Sequence, residues 1–273
     1  MVENPTDILE LHPVAQAFNL ISEDFDRDLE NDITKRIREN IYEMIEGLVL
    51  PGSSIVDINC GTGIDAIALA RRGFRVTGID ISPKMIEHAK RKAEQDHLQN
   101  VSFLHGSFER LSEVFDQPAD LVLSNFAGLN CSVDLSVVAR EVGCIISPGG
   151  FLLAVVMPRF SFWESLSYFL RGQWRGSIRR FRKQTTATGF RGKTFIVHYH
   201  SPTSFERAFQ PWFDVRQLIG VSIFSPSPQS MSFYRSYPRL VRWLERLDDL
   251  VAPLPLFRSI GDHYIMVLQR RAS

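Results

Sequence analysis

The chain has 273 residues, and its 31 Lys and Arg balance its 31 Asp and Glu. Zero net charge disfavours a globally basic nucleic-acid binder, and 44% hydrophobic with 23% charged residues disfavours wholesale disorder. No run of about 18 uncharged apolar residues is present, so no helix is expected to span a bilayer.

The first residues are acidic and lack the basic and apolar regions of a secretory signal. Cys60, Cys131 and Cys144 are an odd, widely spaced set. They predict neither a disulfide framework nor a zinc site, and they fit a reducing cytoplasm. Residues 3–32 are strongly acidic, with Glu3, Asp7, Glu10, Asp24 and Asp26 among them and Arg27 the one cation.

Ile33, Ile37, Ile41 and Ile45 recur at helical spacing and predict an amphipathic helix over 32–47. Ser54–Ile58 is a short buried strand. Gly61-Thr-Gly63 follows, then a helix over 64–72 stopped by Gly73, then a strand over 74–80. Ser82 and Pro83 suit the start of a helix running to about Gln95. Further strands are expected at 101–104, 120–124 and 151–157, with a helix over 133–146 and a turn at Pro148-Gly-Gly. Past Pro158 the regularity breaks until strands around 214–224 and 263–269. Such alternation predicts an α/β fold, a doubly wound, mostly parallel seven-stranded sheet in three α/β/α layers, with helical cap and lid insertions.

The informative segment is Val56-Asp-Ile-Asn-Cys-Gly-Thr-Gly63. A strand ends in a glycine turn and a helix begins at once, offering unpaired N–H groups. Seventeen residues after Gly63, at the end of the next strand, Asp80 can accept from both hydroxyls of a ribose. A dinucleotide would lay its pyrophosphate on this turn. Asp57 on the first strand would repel that pyrophosphate and suits a cationic group instead.

Asp57-Ile-Asn-Cys-Gly-Thr-Gly63 resembles motif I of class I methyltransferases dependent on S-adenosylmethionine (SAM), whose usual form is D-x-G-C-G-T-G. Asp80 resembles the ribose-binding acid of that family, and Ile81 would pack on the adenine. Gly106-Ser-Phe108 resembles the turn after the third strand, Asp120–Ala127 motif IV, and Ile146–Leu152 the turn before the fifth strand. The resemblance covers about residues 40–157 and implies an antiparallel last strand. Two departures stand out: Asn59 replaces a glycine, and Ser107 stands where an aspartate is frequent.

The resemblance implies SAM as cofactor, with S-adenosylhomocysteine as product. Asp57, Asn59, Cys60, Gly61 and Gly63 would hold the methionine end. Asp80 would hold the ribose, and Ile81, Ser107 and Phe108 would form the adenine pocket. Asn125 and Phe126 would line the methyl-transfer side, with Phe18 and Phe25 closing over the ligand. His263, beside Asp262 at the start of the last strand, is the candidate general base, against a purely structural role. Asn130 and Cys131 face the same end, with Cys131 read as a packing residue. His198 and His200 would share a strand face, but no third ligand is near, so no metal is expected.

The chain is read as a cap over 1–35, a core over 36–157, a lid insertion over 158–205, and completion of the core over 206–273 with a second lid segment at 225–260. Between Glu164 and Glu206 there is no acid, while Arg171, Arg175, Arg179, Arg180, Arg182, Lys183, Arg191 and Lys193 are interleaved with Phe160, Phe162, Trp163, Tyr168, Phe169, Trp174 and Phe181. Residues 161–183 are expected to form an amphipathic helix broken near Gly172 and Gly176. Residues 161–193 suit a simple lid, an anionic membrane surface, an anionic and apolar substrate, a grip on RNA phosphates, or pairing with the acidic N-terminal stretch, with nucleic acid the least favoured. Ser124-Asn-Phe-Ala lacks the signature of adenine N-methylation, which argues against that reaction but not against every RNA target. The expected acceptor is a small, largely apolar molecule, attacked at oxygen, nitrogen or carbon. The alternatives are a lipid or quinone-like acceptor at the inner membrane face, and a SAM-binding protein without turnover.

Overall fold

The computed structural model describes Leu9, residues 11–182 and residues 184–272. Glu3, Asp7 and Glu10 of the acidic stretch and Lys183 of the basic one lie outside the described residues, as do the side chains of 188–190. In chain order, α1 (Pro13–Ile21), α2 (Phe25–Leu29) and α3 (Asp32–Leu48) precede the first strand. Then come β1 (Ser54–Asp57), α4 (Ile64–Arg71), β2 (Arg75–Asp80), α5 (Pro83–Gln95), β3 (Val101–His105) and α6 (Leu111–Val114). They are followed by β4 (Ala119–Ser124), α7 (Leu135–Ile145), β5 (Ile146–Val156), α8 (Phe162–Leu170) and α9 (Trp174–Ser177). A hairpin of β6 (Gln184–Phe190) and β7 (Lys193–His198) leads to α10 (Pro202–Phe209), β8 (Phe213–Val221), α11 (Met231–Ser236), α12 (Pro238–Val251) and β9 (His263–Arg270).

The main sheet has seven strands in the order β3-β2-β1-β4-β5-β9-β8. β9 runs antiparallel between β5 and β8, and the other pairings are parallel. The order reverses between β1 and β4, which opens a crevice at the carboxyl ends of the parallel strands. One face of the sheet packs Ile41 and Ile45 of α3 and Leu69 of α4 on Ile55, Leu123 and Val155. The other packs Val138 and Val142 of α7 and Phe205 and Phe209 of α10 on Val122, Leu152 and Tyr264. Burial of apolar side chains on both faces explains why these strands read as continuous apolar runs.

Helix starts follow their capping residues. Asn31 accepts from the N–H groups of Ile33 and Thr34 at 3.0 and 3.1 Å, and Thr34 returns the bond to the Asn31 N–H. Ser82 accepts from Met85 N–H at 3.2 Å, with Pro83 in the first turn. Three expectations shift. Pro148-Gly-Gly lies inside β5 as an irregular register with Gly149 at φ +82°, not as a separate turn before the strand. The strand expected around 214–224 ends at Val221, since Ile223, Phe224 and Ser225 turn their N–H groups onto the Asp248 carboxylate. The helix expected over 161–183 is split into α8, α9 and a 3-10 turn at Arg179–Arg182, with Gly172 in the left-handed region between the first two.

The candidate site at the carboxyl ends of β1, β2 and β4 and the start of β9

The turn after β1 brings the motif residues together. Gly61 and Gly63 have φ of +53° and +80°, a region that disfavours side chains. A Cβ on Gly63 would also lie 2.8 Å from the Phe103 ring. Asp80 closes the turn: its Oδ2 accepts from Gly61 N–H at 2.8 Å and its Oδ1 from Ser82 N–H at 2.9 Å. Burial pushes its carboxyl above the ordinary range, against the pull of those two N–H groups. Cys60 is buried beneath the turn, where a Cβ on Gly78 would meet its Sγ at 2.9 Å. Its thiol packs under the turn, and burial raises its pKa.

Asp57 is 1% exposed, and neither carboxylate oxygen has a hydrogen-bond partner. Burial, reinforced by the charge of Asp65, pushes its carboxyl well above the ordinary range. Asp65, in the first turn of α4, accepts from Tyr42 Oη–H at 2.6 Å and Asn125 Nδ2 at 3.0 Å and is ion-paired with Arg38. The Arg38 guanidinium also stacks 4.6 Å from the centre of the Phe126 ring, and its buried Nε lacks a hydrogen-bond partner. Arg38, Tyr42 and Asp65 were not singled out in the sequence. The available signal was a stripe of Thr34, Arg38, Tyr42 and Ile45 beside the isoleucines of α3, where a charged side chain is out of place.

Several motif residues are turned to structural partners. Asn59 donates from Nδ2 to Asn125 O at 2.8 Å and accepts from Ser124 Oγ at 2.6 Å. It ties the glycine turn to the end of β4, rather than pointing freely toward a ligand's methionine end. Asn125 turns its amide to Asp65 and accepts from Phe126 N–H at 2.8 Å. Phe126 and Ala127 follow with φ of +44° and +65°, strained backbone at the switch point of the sheet.

The cap closes over the turn. The Phe25 ring would lie 3.4 Å from a Cβ on Gly61, and Asp26 accepts from Thr62 Oγ–H and pairs with Lys92 at 2.6 Å. Asn19 of α1 accepts from Ser82 Oγ–H at 2.6 Å. Phe18, Ile81 and Cys131 pack with Val14, Ala17 and Phe195 in one apolar cluster. Ser107 is buried and caps the turn at Phe108–Arg110 by accepting from Glu109 N–H at 3.1 Å. Phe108 is half-buried against the opposite core face. Burial raises the Cys131 thiol to about 12.

His263 opens β9 at the same end. Its Nδ1 lies 3.1 Å from Asp262 Oδ2, and its ring stands edge-on to Phe126 at 6.5 Å between centroids. Asp262 is held in turn by Arg180, whose Nη2 reaches Oδ1 at 2.7 Å and whose Nη1 donates to the Asp262 carbonyl at 2.8 Å. Glu164 accepts from Arg180 at 2.6 Å and Arg179 at 2.5 Å. Burial opposes ionisation of Asp262, but Arg180 and His263 hold its carboxyl below the usual range. Glu164 is held low in the same way, by Arg179 and Arg180 against its burial. The basic lid is thus tied to the core through Arg180, and to the N-terminal stretch through the Asp24–Arg191 pair and the bond from Lys193 Nζ to Gln16 Oε1 at 2.8 Å.

His198 and His200 are not brought into this cluster. β7 ends at His198, and the rings stack 6.5 Å apart. Burial, with His198 and Arg159 nearby, lowers His200 to about 4. Asn130 donates to the carbonyls of Met157 and His198 and so ties the lid to β5. A cleft of about 500 Å³ lies between α3, β8 and α12. Its walls include Ile33, Ile37, Val221 and Ile265, with Arg36 bridging Glu245 and Asp249 at its rim. Val221 pairs with His263 across the β8–β9 ladder.

Comparison with known proteins places this geometry. Residues 55–150 match the family model described as a methyltransferase domain. The ribosomal protein L11 methyltransferase of Clostridium botulinum is 28% identical over 155 residues, 54% of this chain and 49% of that protein. The demethylmenaquinone methyltransferase of Lactococcus lactis is 30% identical over 148 residues, 52% of this chain and 57% of that protein. The chain spans about half the length of these curated relatives. The crystal structure of a protein from Listeria monocytogenes, described as a SAM-dependent methyltransferase, superposes with a TM-score of 0.56 at 16% identity, covering 86% of this chain and 98% of that one. The glycine turn and the strand-end acid lie within the residues that match the methyltransferase-domain model, and the seven-stranded order with its antiparallel β9 is the fold shared with the Listeria protein.

Proposed function

We propose that this chain binds SAM at the glycine turn and transfers a methyl group to a small, largely apolar acceptor. The observation that carries the reading is the charge of the site. Asp57 lies among Asp65, Asp80 and Arg38, Arg38 is already paired with Asp65 and Glu30, and Asp57 is buried with both oxygens unpartnered. A ligand bearing an ammonium and a sulfonium offsets that excess, whereas a pyrophosphate adds to it.

Asp57 would accept from the ammonium, and Arg38 would meet the carboxylate through its Nε, which makes no hydrogen bond and lies 3.8 Å from Glu30 Oε1. Asp80 has a spare lone pair on each oxygen for the ribose hydroxyls. Ile81, Ser107 and Phe108 would enclose the adenine. SAM, when bound, supplies a methyl group already activated on sulfur. The chain then has to orient the acceptor, exclude water and remove a proton. Phe18 and Phe25 exclude water from above. With Nδ1–H donated to Asp262, His263 keeps Nε2 as the lone-pair nitrogen that takes the acceptor's proton. Asp262 stabilises the imidazolium so formed.

An apolar acceptor is supported by the apolar walls of the cleft between α3, β8 and α12, whose Val221 pairs with His263 across the β8–β9 ladder and whose volume lies within the usual range for small-molecule sites. One relative is named for demethylmenaquinone and another for a ribosomal protein, so the acceptor class rests on this chain's own lining. Calorimetric titration with SAM and with NAD tests the cofactor. Heat with SAM alone is expected, and no heat with SAM at about 1 mM would end the reading. Transfer of labelled methyl from SAM into a small-molecule extract tests the reaction. SAM binding with no labelled product would leave a binding protein without turnover.

A further inference from the structure

The lid carries more exposed apolar surface than closing a pocket requires. α12 is apolar on two sides. Val241 and Leu244 face inward, while Leu240, Trp243, Leu247 and Leu250 form a second stripe at spacings of three and four. Trp243 is 60% exposed and Leu250 75%. A surface helix normally buries its one apolar face, so a second stripe calls for a second apolar medium. Arg239, Arg242 and Arg246 flank this stripe, all exposed, and no ion pair holds them among the described residues.

The first lid segment repeats the pattern. Leu166, Phe169 and Leu170 lie on one side of α8, and Phe169 packs edge-on to Trp174 at 4.8 Å, with Trp174 66% exposed. Arg171, Arg175 and Arg182 are exposed around them, with no ion pair among the described residues. The two segments are joined: Trp163 stacks on Phe233 at 5.0 Å, Phe233 on Tyr237 at 5.0 Å, and Trp163 Nε1 donates to Ser230 Oγ at 3.0 Å. The aromatic chain runs from α8 through α11 to the start of α12.

We propose that α8–α9 and α12 together form a docking face for an anionic lipid bilayer. Two observations select this occupant. Among the described residues no ion pair holds the exposed cations, since Glu245 and Asp249 of α12 are turned to Arg36 and Glu164 of α8 to Arg179 and Arg180, so the complementary surface is anionic. The side chains between them are leucines and tryptophans, which partition into the boundary between headgroups and acyl chains. A nucleic acid would answer the arginines and leave the leucines in water. No helix among the described residues is long and apolar enough to cross a membrane, so docking is peripheral. It would bring the lid, and with it Arg180 beside Asp262 and His263, to a surface where apolar acceptors concentrate. Docking itself is independent of methyl transfer.

Co-sedimentation of the full chain with phosphatidylcholine vesicles, with and without phosphatidylglycerol, tests the proposal. Binding is expected only with the anionic lipid, and it should weaken as salt is raised. Each of Arg175→Gln, Arg239→Gln and Arg242→Gln should lower partitioning about five-fold. Trp174→Ala with Trp243→Ala should lower it further while the melting temperature and SAM binding stay unchanged, which separates docking from folding and from the cofactor site. Equal binding to neutral vesicles, no binding to either, or retention by RNA but not by vesicles would each overturn the proposal. So would a dimer in sedimentation velocity that Trp243→Glu dissociates, since the face would then be covered by a second copy.

Discussion

Replacing Asp57 by asparagine keeps the side chain's shape and removes its charge, and the expected effects on the free and ligand-bound protein have opposite signs. In the free protein the carboxyl is buried without a partner, and its pKa stands well above the usual value. A raised folded-state pKa stabilises the protein at low pH. That contribution is lost as pH rises from the ordinary carboxylate range through the raised value, at about 1.36 kcal/mol per unit. The amide does not titrate, so Asp57→Asn should gain stability relative to the parent across that window and hold the gain above it. SAM affinity should move the other way. A hydrogen bond to a charged group is worth about 1.5–3 kcal/mol, so the variant should bind about 10- to 150-fold more weakly. Affinity of the parent should rise with pH through the Asp57 transition, and more steeply than that of the variant. Calorimetric titrations below about pH 7, where an α-amino group stays charged, with parallel denaturant melts, measure both effects. Undiminished SAM affinity in the variant would refute the pairing of Asp57 with an ammonium.

Asp80→Ala should weaken SAM binding by about 1.5–3 kcal/mol in the same titration, through loss of bonds to the ribose; unchanged affinity would remove Asp80 from the site. Arg180→Met removes the guanidinium from the buried Asp262, while the half-buried Glu164 keeps Arg179, and should cost about 3–5 kcal/mol in denaturant unfolding. In a double-mutant cycle with Asp262→Asn the combined loss should fall well short of the sum, and strict additivity would show that the pair does not couple. Because Glu164 and Asp262 are held low, their contribution is present above the ordinary carboxylate range and lost as pH falls below it. Proteolysis within the lid should therefore accelerate in acid, and a flat profile would count against the tie. His263→Gln should reduce turnover about 10²- to 10⁴-fold with SAM affinity intact, and undiminished turnover would remove His263 as the base.

Most of the core sheet was legible in the sequence because local rules and tertiary demand agree there. Apolar runs bounded by glycine became strands buried on both faces, and Ser82 marked a helix start it does cap. The hairpin of β6 and β7 and the helices α1, α2 and α10 were not legible. These elements are short, and they are held by contacts made elsewhere, such as Asn19 with Ser82 and Asn130 with the His198 carbonyl. The same limit applied to Arg38, which lies on α3 but takes its meaning from Asp65 and Phe126, residues distant in the chain.

The sequence alone determined the sheet's wrapping, the backbone freedom of Gly61 and Gly63, and the presence of acids at the ends of β1 and β2, because each depends on residues close together in the chain. Only the tertiary structure decided where side chains point. It turned Asn59 and Asn125 onto structural partners, left Asp57 buried with open lone pairs, and carried Arg180 from the lid onto Asp262. The physical reason is that burial and pairing of charge depend on distance in space, and the elements that supply these partners lie far apart along the chain.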